Sequence, residues 1–443
     1  MSRKFFGTDG VRGKVGEYPM TVEFALRLAS AAARVLAPQG GKALVGKDTR
    51  LSGYMFESGL EAGFVAAGVD VRLIGPLPTP GIAYMTQHFE CDFGVVISAS
   101  HNLFYDNGIK FFDSKGSKLS DELEHEIEGL LDEPALTCES EGLGRAVRVD
   151  KSRVIYQDFC ASTLPDGMDL SGLKIVIDCA NGAAYKVAPR VLSDLGAEII
   201  PIGCSPNGRN INLRCGSTAP ELIQATVSGV GADAGIALDG DGDRLVMVDH
   251  LGRLVDGDYL LYVVALDRKA NSELKGPVVG TVMSNLGLEQ ALGEHGIQFM
   301  RAAVGDRYVL AMLNEQGGVL GGESSGHMLC LDRTTTGDGL ISALQVLAAM
   351  KRTGRPLAEL TAGMQQYPQV MLNVRVKERF DPDRSAAIKT AVSKVERALG
   401  DSGRVVLRAS GTEPVIRVMV EGRDETKVSR YAKELAEVVQ SAV

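Results

Sequence analysis

Three carboxylates, Asp239, Asp241 and Asp243, stand at alternate positions in the run DGDGDR at 239–244. Like charges held this close repel one another unless a cation sits among them. Carboxylate oxygens suit a hard divalent ion, and Mg²⁺ is the usual occupant where phosphate is also present. The intervening glycines let the loop turn tightly and aim alternate side chains at one point. A solvated acidic turn is the plain alternative. An EF-hand is excluded, because its sixth position needs Gly and holds Arg244, and its twelfth needs Glu and holds His250.

A second polar run, SASHN at 98–102, puts Ser100 beside His101 between apolar stretches. Serine is a poor nucleophile without a base or a metal to help it. His101 could serve as base or phosphate donor, although sequence neighbours often point apart. Lys110 follows in DNGIK at 106–110, where a solvated strand edge is the plain reading.

A third run, GGESSGH at 321–327, contains G-x-S-x-G. A serine-hydrolase elbow is excluded: the only histidine after Ser324 is His327, three residues on, and 328–331 reads as a strand where an elbow needs a helix. Glu323, Ser325 and His327 instead form a mixed set of acceptors and donors suited to sugar hydroxyls.

A fourth run, RASGTEPVIRV at 408–418, combines Arg408, Ser410, Gly411, Thr412 and Arg417. Backbone N–H groups of a Ser-Gly-Thr turn can form an anion nest, and arginines can complete a phosphate clamp. A bare hairpin turn is the alternative. Two near-misses fall away. Residues 41–48 lack the final Ser/Thr of a P-loop, and 229–234 follows a helix and precedes a strand, the reverse of the dinucleotide motif.

The elements that position these runs are strands alternating with helices, which argues for α/β units. Strands are expected at 43–45, 69–74 and 93–97, then 174–177, 198–201, 235–238 and 245–248, then 278–281 and 319–321. Helices are expected at 52–67, 120–131, 152–164, 183–195, 286–295 and 339–350. A smaller α+β unit follows, with helices at 384–399 and 425–439 and strands at 404–408 and 415–420. Three units that each end a strand on a polar loop suggest a diverged internal repeat.

The 443 residues exceed one core, and 45% apolar with 23% charged residues is ordinary for a globular protein. No apolar run reaches the roughly 20 residues of a membrane span. The N-terminus lacks the apolar stretch of a signal peptide. Seven cysteines without a C-x-x-C pair indicate neither a zinc site nor a disulfide frame, so a cytoplasmic location is expected. Net charge is −9 with no basic tract, which argues against nucleic acid as a partner.

Taken in order, FGTDGVRG (6–13), ISASHN (97–102), DNGIKFF (106–112), DGDGDR, GGESSGH and RASGTEPVIRV resemble the α-D-phosphohexomutase family along essentially the whole chain. The first and fifth look more like its glucosamine branch. The resemblance implies three similar α/β domains plus a smaller C-terminal α+β domain around a central active-site cleft. The domains would span 1–145 (phosphoserine loop), 150–254 (metal loop), 255–367 (sugar loop) and 368–443 (phosphate loop).

The resemblance further implies that Ser100 carries a phosphoryl group and that this phosphate shares Mg²⁺ with Asp239, Asp241 and Asp243. Arg12, Lys110 and Arg244 would add positive charge, and His101 or Lys110 would handle the hydroxyl proton. Glu323, Ser325 and His327 would read the sugar. Arg408, Ser410, Gly411, Thr412 and Arg417 would hold the phosphate not being transferred.

The implied reaction interconverts glucosamine 6-phosphate and glucosamine 1-phosphate, on the way to UDP-N-acetylglucosamine and cell-wall precursors. Glucosamine 1,6-bisphosphate or glucose 1,6-bisphosphate would serve as primer. Members are often homodimers. A glucose or mannose phosphomutase, or a non-catalytic sugar-phosphate binding protein, is the alternative. One departure is visible: the family usually has proline after SHN, and this chain has Leu103, so a more mobile loop is expected.

Overall fold

The computed structural model describes residues 4–7, 9–376, 380–409 and 414–442. The first unit holds strands β1 (Val11–Lys14), β2 (Gly41–Lys47), β3 (Val69–Pro76), β4 (Phe93–Ile97), β5 (Asp106–Asp113) and β6 (Ala146–Arg148). Its helices are α1 (Val22–Leu36), α2 (Ser52–Ala66), α3 (Thr79–His88) and α4 (Asp121–Gly129). The six strands form one sheet in the order β1-β5-β4-β2-β3-β6, which reaches past residue 145 to take in β6.

The second unit has helix α5 (Ser152–Ser162), then β7 (Lys174–Asp178), α6 (Ala188–Asp194), β8 (Glu198–Ile202), α7 (Glu221–Val230), β9 (Ala234–Leu238), β10 (Leu245–Asp249) and β11 (Leu254–Val255). The expected helix at 183–195 is instead a 3₁₀ turn, Ala183–Lys186, followed by α6. Pro189 in the first turn of α6 lacks the N–H that a continuous helix would use there.

The third unit runs α8 (Gly257–Ala270), β12 (Val278–Thr281), α9 (Leu286–Glu294), β13 (Phe299–Ala302), α10 (Asp306–Gln316), β14 (Leu320–Gly322), β15 (Met328–Cys330), α11 (Gly339–Thr353) and α12 (Leu357–Leu360). The fourth has β16 (Gln369–Arg375), α13 (Ala386–Leu399), β17 (Gly403–Ala409), β18 (Val415–Gly422) and α14 (Glu425–Ala442), with an antiparallel sheet in the order β16-β18-β17.

The first three sheets share one plan. A central strand (β2, β7, β12) has a parallel partner on each side, and one of these turns back as an antiparallel strand. The sequences β3-β2-β4-β5, β8-β7-β9-β10 and β13-β12-β14-β15 are therefore equivalent. The SASHN, DGDGDR and GGESSGH runs each fill the same turn, between the third and fourth strands of this plan. Their shared place is the repeat that the sequence only hints at.

Strands β4, β9 and β10 are buried along their whole length, as expected of apolar runs covered on both faces. Helix α11 is buried from Gly339 to Met350 and packs on α8, β10 and β15, which joins the second and third units into one core. A helix apolar nearly all round has no face to give to water. Among the described residues, no helix is long and apolar enough to cross a membrane.

Candidate active site

The turn after β9 gathers Asp239, Asp241 and Asp243, all buried, with one ligand-capable oxygen from each within 4.8 Å of the others. Gly242 takes φ 74°, a conformation side chains rarely adopt. Asp239 Oδ1 accepts from the backbone N–H of Gly242 at 3.0 Å and of Arg244 at 3.2 Å, which ties the turn to its own first carboxylate.

Ser100, 2% exposed, donates its hydroxyl to Asp239 Oδ2 at 2.6 Å. The two residues belong to different sheets, so the first and second repeated turns meet here. Ser100 Oγ is also 3.5 Å from His101 Nδ1, so these sequence neighbours do converge. Burial, with the charges of Arg244 and Arg12, brings His101 down to about 4 and keeps it neutral near pH 7. In the loop that lacks the family's proline, Arg50 and Asn212 both donate to the carbonyls of Ser100 and Asn102.

Lys110 lies mid-strand in β5 and is 3% exposed, so it is no solvated edge. Strand β1 pairs onto the outer side of β5 and covers it. Its Nζ donates to Asp241 Oδ2 at 2.9 Å and pairs with Asp9 at 2.9 Å. Burial alone would favour a neutral amine, but Asp241 and Asp9 outweigh it and raise Lys110 above the usual lysine range. Burial likewise opposes ionisation of Asp241, yet Lys110 and the Thr79 hydroxyl hold it below the usual carboxylate range. Asp239 goes the other way: burial and the charges of Asp243 and Asp241 push it well up.

Even with Lys110 beside Asp241, burial and the two neighbouring carboxylates oppose charge on Asp239. Asp241 Oδ1 and Asp243 Oδ1 are buried without a hydrogen-bond partner. The donor set, all hard oxygens with unpartnered lone pairs converging, fits a divalent metal ion.

The third repeated turn zips onto the second. Leu245 N donates to Gly326 O at 3.0 Å, and Arg244 and His327 form an antiparallel bridge. Glu323 Oε1 accepts from Gly305 N at 3.1 Å. His327 is buried with Nδ1 3.7 Å from Asp243 and Nε2 3.3 Å from Asp306. Burial would lower it, but Asp306 and Asp243 raise it to about 9.

Ser100, Arg12, Asp243, Arg244, Glu323, Ser325, His327, Arg408 and Arg417 line one cleft of about 530 Å³. Lys110 and Asp239 bond to two of its lining residues, Asp9 and Ser100, and Asp241 bonds in turn to Lys110. Arg408 and Arg417 are paired positions on β17 and β18. Burial and the neighbouring Arg417 charge lower Arg408 from the usual arginine range, and its Nε is buried without a partner. Two adjacent guanidiniums, one with a buried Nε that has no partner among the described residues, suit a phosphate. Ser410, Gly411 and Thr412 lie outside the described residues.

Several partners in the site had no motif of their own. Thr79 at the start of α3 donates to Asp241 Oδ2 at 2.7 Å. Lys118 joins Asp9 and Asp306, each at 2.6 Å, so alternating charges run Asp241, Lys110, Asp9, Lys118, Asp306, His327, Asp243 across three units. Asp9 falls inside the FGTDGVRG run, which was the only sequence signal among them.

Four segments match the phosphoglucomutase/phosphomannomutase descriptions in chain order: alpha/beta/alpha domain I at 3–136, domain II at 156–252, domain III at 256–367 and the C-terminal domain at 371–438. The phosphoglucosamine mutase of Aeromonas salmonicida is 56% identical over 443 residues, covering 100% of both chains. A phosphoglucomutase/phosphomannomutase family protein of Burkholderia thailandensis superposes with a TM-score of 0.82 at 24% identity, over 100% of this chain and 98% of that one. The N-acetylphosphoglucosamine mutase of Aspergillus fumigatus, solved with GlcNAc-6P and magnesium, gives a TM-score of 0.69 at 19% identity, over 100% and 96%. Matched end to end in both sequence and domain order, the chain belongs to the phosphoglucomutase/phosphomannomutase family.

Proposed function

We propose that the chain interconverts glucosamine 6-phosphate and glucosamine 1-phosphate by passing a phosphoryl group between Ser100 and the sugar. The observation that carries the chemistry is the Ser100 hydroxyl bonded to Asp239 at 2.6 Å, in a cleft whose lining combines Arg12, Arg244, Arg408 and Arg417 with Asp9, Asp243, Asp306 and Glu323. The choice of sugar follows the full-length relative named phosphoglucosamine mutase.

In this reading Ser100 starts phosphorylated, loaded by glucosamine 1,6-bisphosphate or glucose 1,6-bisphosphate. A sugar hydroxyl, at O1 or O6, attacks phosphorus; the new P–O bond forms as the bond to Ser100 Oγ breaks, and the hydroxyl proton passes to a nearby base, for which His101, neutral near pH 7, is the candidate; Lys110, kept protonated by Asp241 and Asp9, does not accept it. The resulting 1,6-bisphosphate turns over in the cleft and returns its other phosphoryl to Ser100. Such transfers depend on positioning and charge neutralisation. Asp239, Asp241 and Asp243 would hold Mg²⁺, which when bound neutralises charge on the transferring group.

Arg12, Lys110 and Arg244 add fixed positive charge on that side. Arg408 and Arg417, with Ser410, Gly411 and Thr412, hold the second phosphate, so either end of the sugar finds the same clamp. Glu323 and Ser325 face the sugar from the third turn, and His327 braces Asp243 beside them. Seven free cysteines suit a reducing cytoplasm, and a homodimer is carried over from the family, checked by light scattering.

Ser100→Ala tests the reading. The variant is expected to fold and to lose isomerisation completely; turnover at the wild-type rate would reject the serine carrier. Comparing kcat/KM for glucosamine, glucose and mannose phosphates tests the sugar, with glucosamine expected to lead.

A further inference from the structure

The backbone of Ser100 is left-handed, with φ 49°, a conformation that a non-glycine residue keeps only when its surroundings impose it. The surroundings here are two side chains that no motif marks. Asn212 Nδ2 donates to Ser100 O and to Asn102 O, both at 2.9 Å. Arg50 donates through one terminal nitrogen to the same two carbonyls, at 3.2 Å to Ser100 O and more closely to Asn102 O. One turn is therefore gripped from two sides.

The grip spans two units. Arg50 follows β2 in the first unit; it is fully buried, and its other terminal nitrogen pairs with the buried Asp48. Asn212 belongs to the second unit and is itself left-handed, with φ 58° and its N–H bonded to Ala180 O at 2.9 Å. Gly240, between the first two aspartates, packs against both partners. A Cβ there would come within 2.7 Å of Asn212 Nδ2 and of Ser100 O. The serine turn, the clamp and the acidic turn thus form one packed layer.

We infer that Arg50 and Asn212 are positioning residues for phosphoryl transfer: they fix the left-handed turn so that Ser100 Oγ lies against Asp239. This inference rests on the serine-carrier reading above. Without the clamp, the turn is free to relax to an ordinary backbone conformation that swings Oγ away from the acidic cluster. They act through the backbone of the carrier, so their loss should slow transfer without weakening sugar binding.

Asn212→Gly and Arg50→Lys test it. Glycine adopts φ 58° without strain and removes both Asn212 donors; lysine keeps a charge for Asp48 but cannot serve both carbonyls. The measurements are kcat and KM for glucosamine 6-phosphate, the rate at which Ser100 takes up phosphoryl from glucose 1,6-bisphosphate by intact mass, and Tm. Displacements near 1 Å cost about 100-fold in rate, so we expect kcat and the loading rate to fall together by roughly 10- to 100-fold. KM should stay within about 3-fold, the pattern of a lost transition-state interaction.

Wild-type kcat and loading in a folded Asn212→Gly protein would overturn the inference, as would a defect confined to KM. Should Arg50→Lys fail to fold, Asn212→Gly decides alone, since it leaves the Asp48–Arg50 pair untouched. A wild-type protein that loads Ser100 but does not isomerise glucosamine phosphate would reject the choice of sugar. The loading rates of the variants would still decide the clamp.

Discussion

Thr79 donates its hydroxyl to Asp241 Oδ2 at 2.7 Å, although 162 residues separate the two in the chain. The Thr79 backbone N–H also reaches Asp241 O at 2.9 Å, so the first turn of α3 fixes a carboxylate in another unit. Groups that orient a metal-binding carboxylate typically matter 10- to 100-fold in metal affinity. Thr79→Val keeps the shape and removes the hydroxyl. With Mg²⁺ held as proposed, it is expected to raise the Mg²⁺ dissociation constant about 10-fold, and to lower Tm of the metal-free protein as well, because a buried charged carboxylate loses a hydrogen bond. Titration calorimetry reads this directly; an unchanged affinity would mean that Asp241 needs no help from α3.

Arg408 and Arg417 oppose each other across β17 and β18, and among the described residues no carboxylate forms an ion pair with either. Their mutual repulsion is the cost of a site waiting for an anion. Arg417→Ala should relieve that repulsion, so Tm should hold or rise slightly. The same change removes charge-assisted hydrogen bonds worth about 1.5–3 kcal/mol, which predicts a KM increase of roughly 10- to 100-fold. Opposite signs in stability and affinity distinguish a binding pair from a structural one.

Much of this site was open to reading from sequence because its chemistry is concentrated in four short runs. Ser100, the three aspartates and Glu323 each sit in a turn just past a strand, and Arg408 and Arg417 face each other on β17 and β18. What sequence could not show is which distant residues meet those turns. Thr79, Arg50, Asn212, Lys118 and Asp306 carry no local pattern, and their roles arise only when separate sheets pack together. Lys110 reads as a strand edge because nothing in its own segment announces β1, which pairs onto β5 from almost 100 residues upstream.

Helix α3 hides for a different reason. Thr79-Pro80-Gly81 punctuates like a turn, whereas Pro at the first helical positions suits a helix start because its missing N–H is not needed there. Leu103 stands where the family's proline would stiffen the turn, and the carbonyls just before it, Ser100 O and Asn102 O, accept from Arg50 and Asn212, contacts that no local pattern announces.

Asp338 gives a prediction in pH. It is buried, accepts from the Tyr156 hydroxyl at 2.6 Å and caps α11 through Ile341 N at 2.9 Å. Burial outweighs these bonds and pushes its carboxyl up to about 6. The folded state then binds a proton more tightly than the unfolded chain, whose Asp titrates near 4. Stability from this group is present below about pH 4 and is lost as pH rises to about 6, by at most ~3 kcal/mol. Asp338→Asn keeps a good cap and abolishes the titration. Its Tm relative to wild type should climb between pH 4 and 6 and level off above; a flat difference would show that Asp338 is ionised throughout.

Lys118 and Asp306 meet at 2.6 Å across two units, one just before α4 in the first and one opening α10 in the third. Each keeps a second partner, Asp9 for Lys118 and His327 for Asp306. Removing either alone leaves a mostly buried charge with one partner fewer, at a cost of about 1.5–3 kcal/mol for a charged hydrogen bond. Removing both at once leaves neither charge behind. Lys118→Met and Asp306→Asn should therefore each lower Tm, and the double variant should lose less than the sum of the two. Because the pair joins two units that share the cleft, the same cycle measured on KM should show coupling of the same sign. Additive losses in both quantities would mean that the contact is incidental and that the units are held apart or together by other bonds.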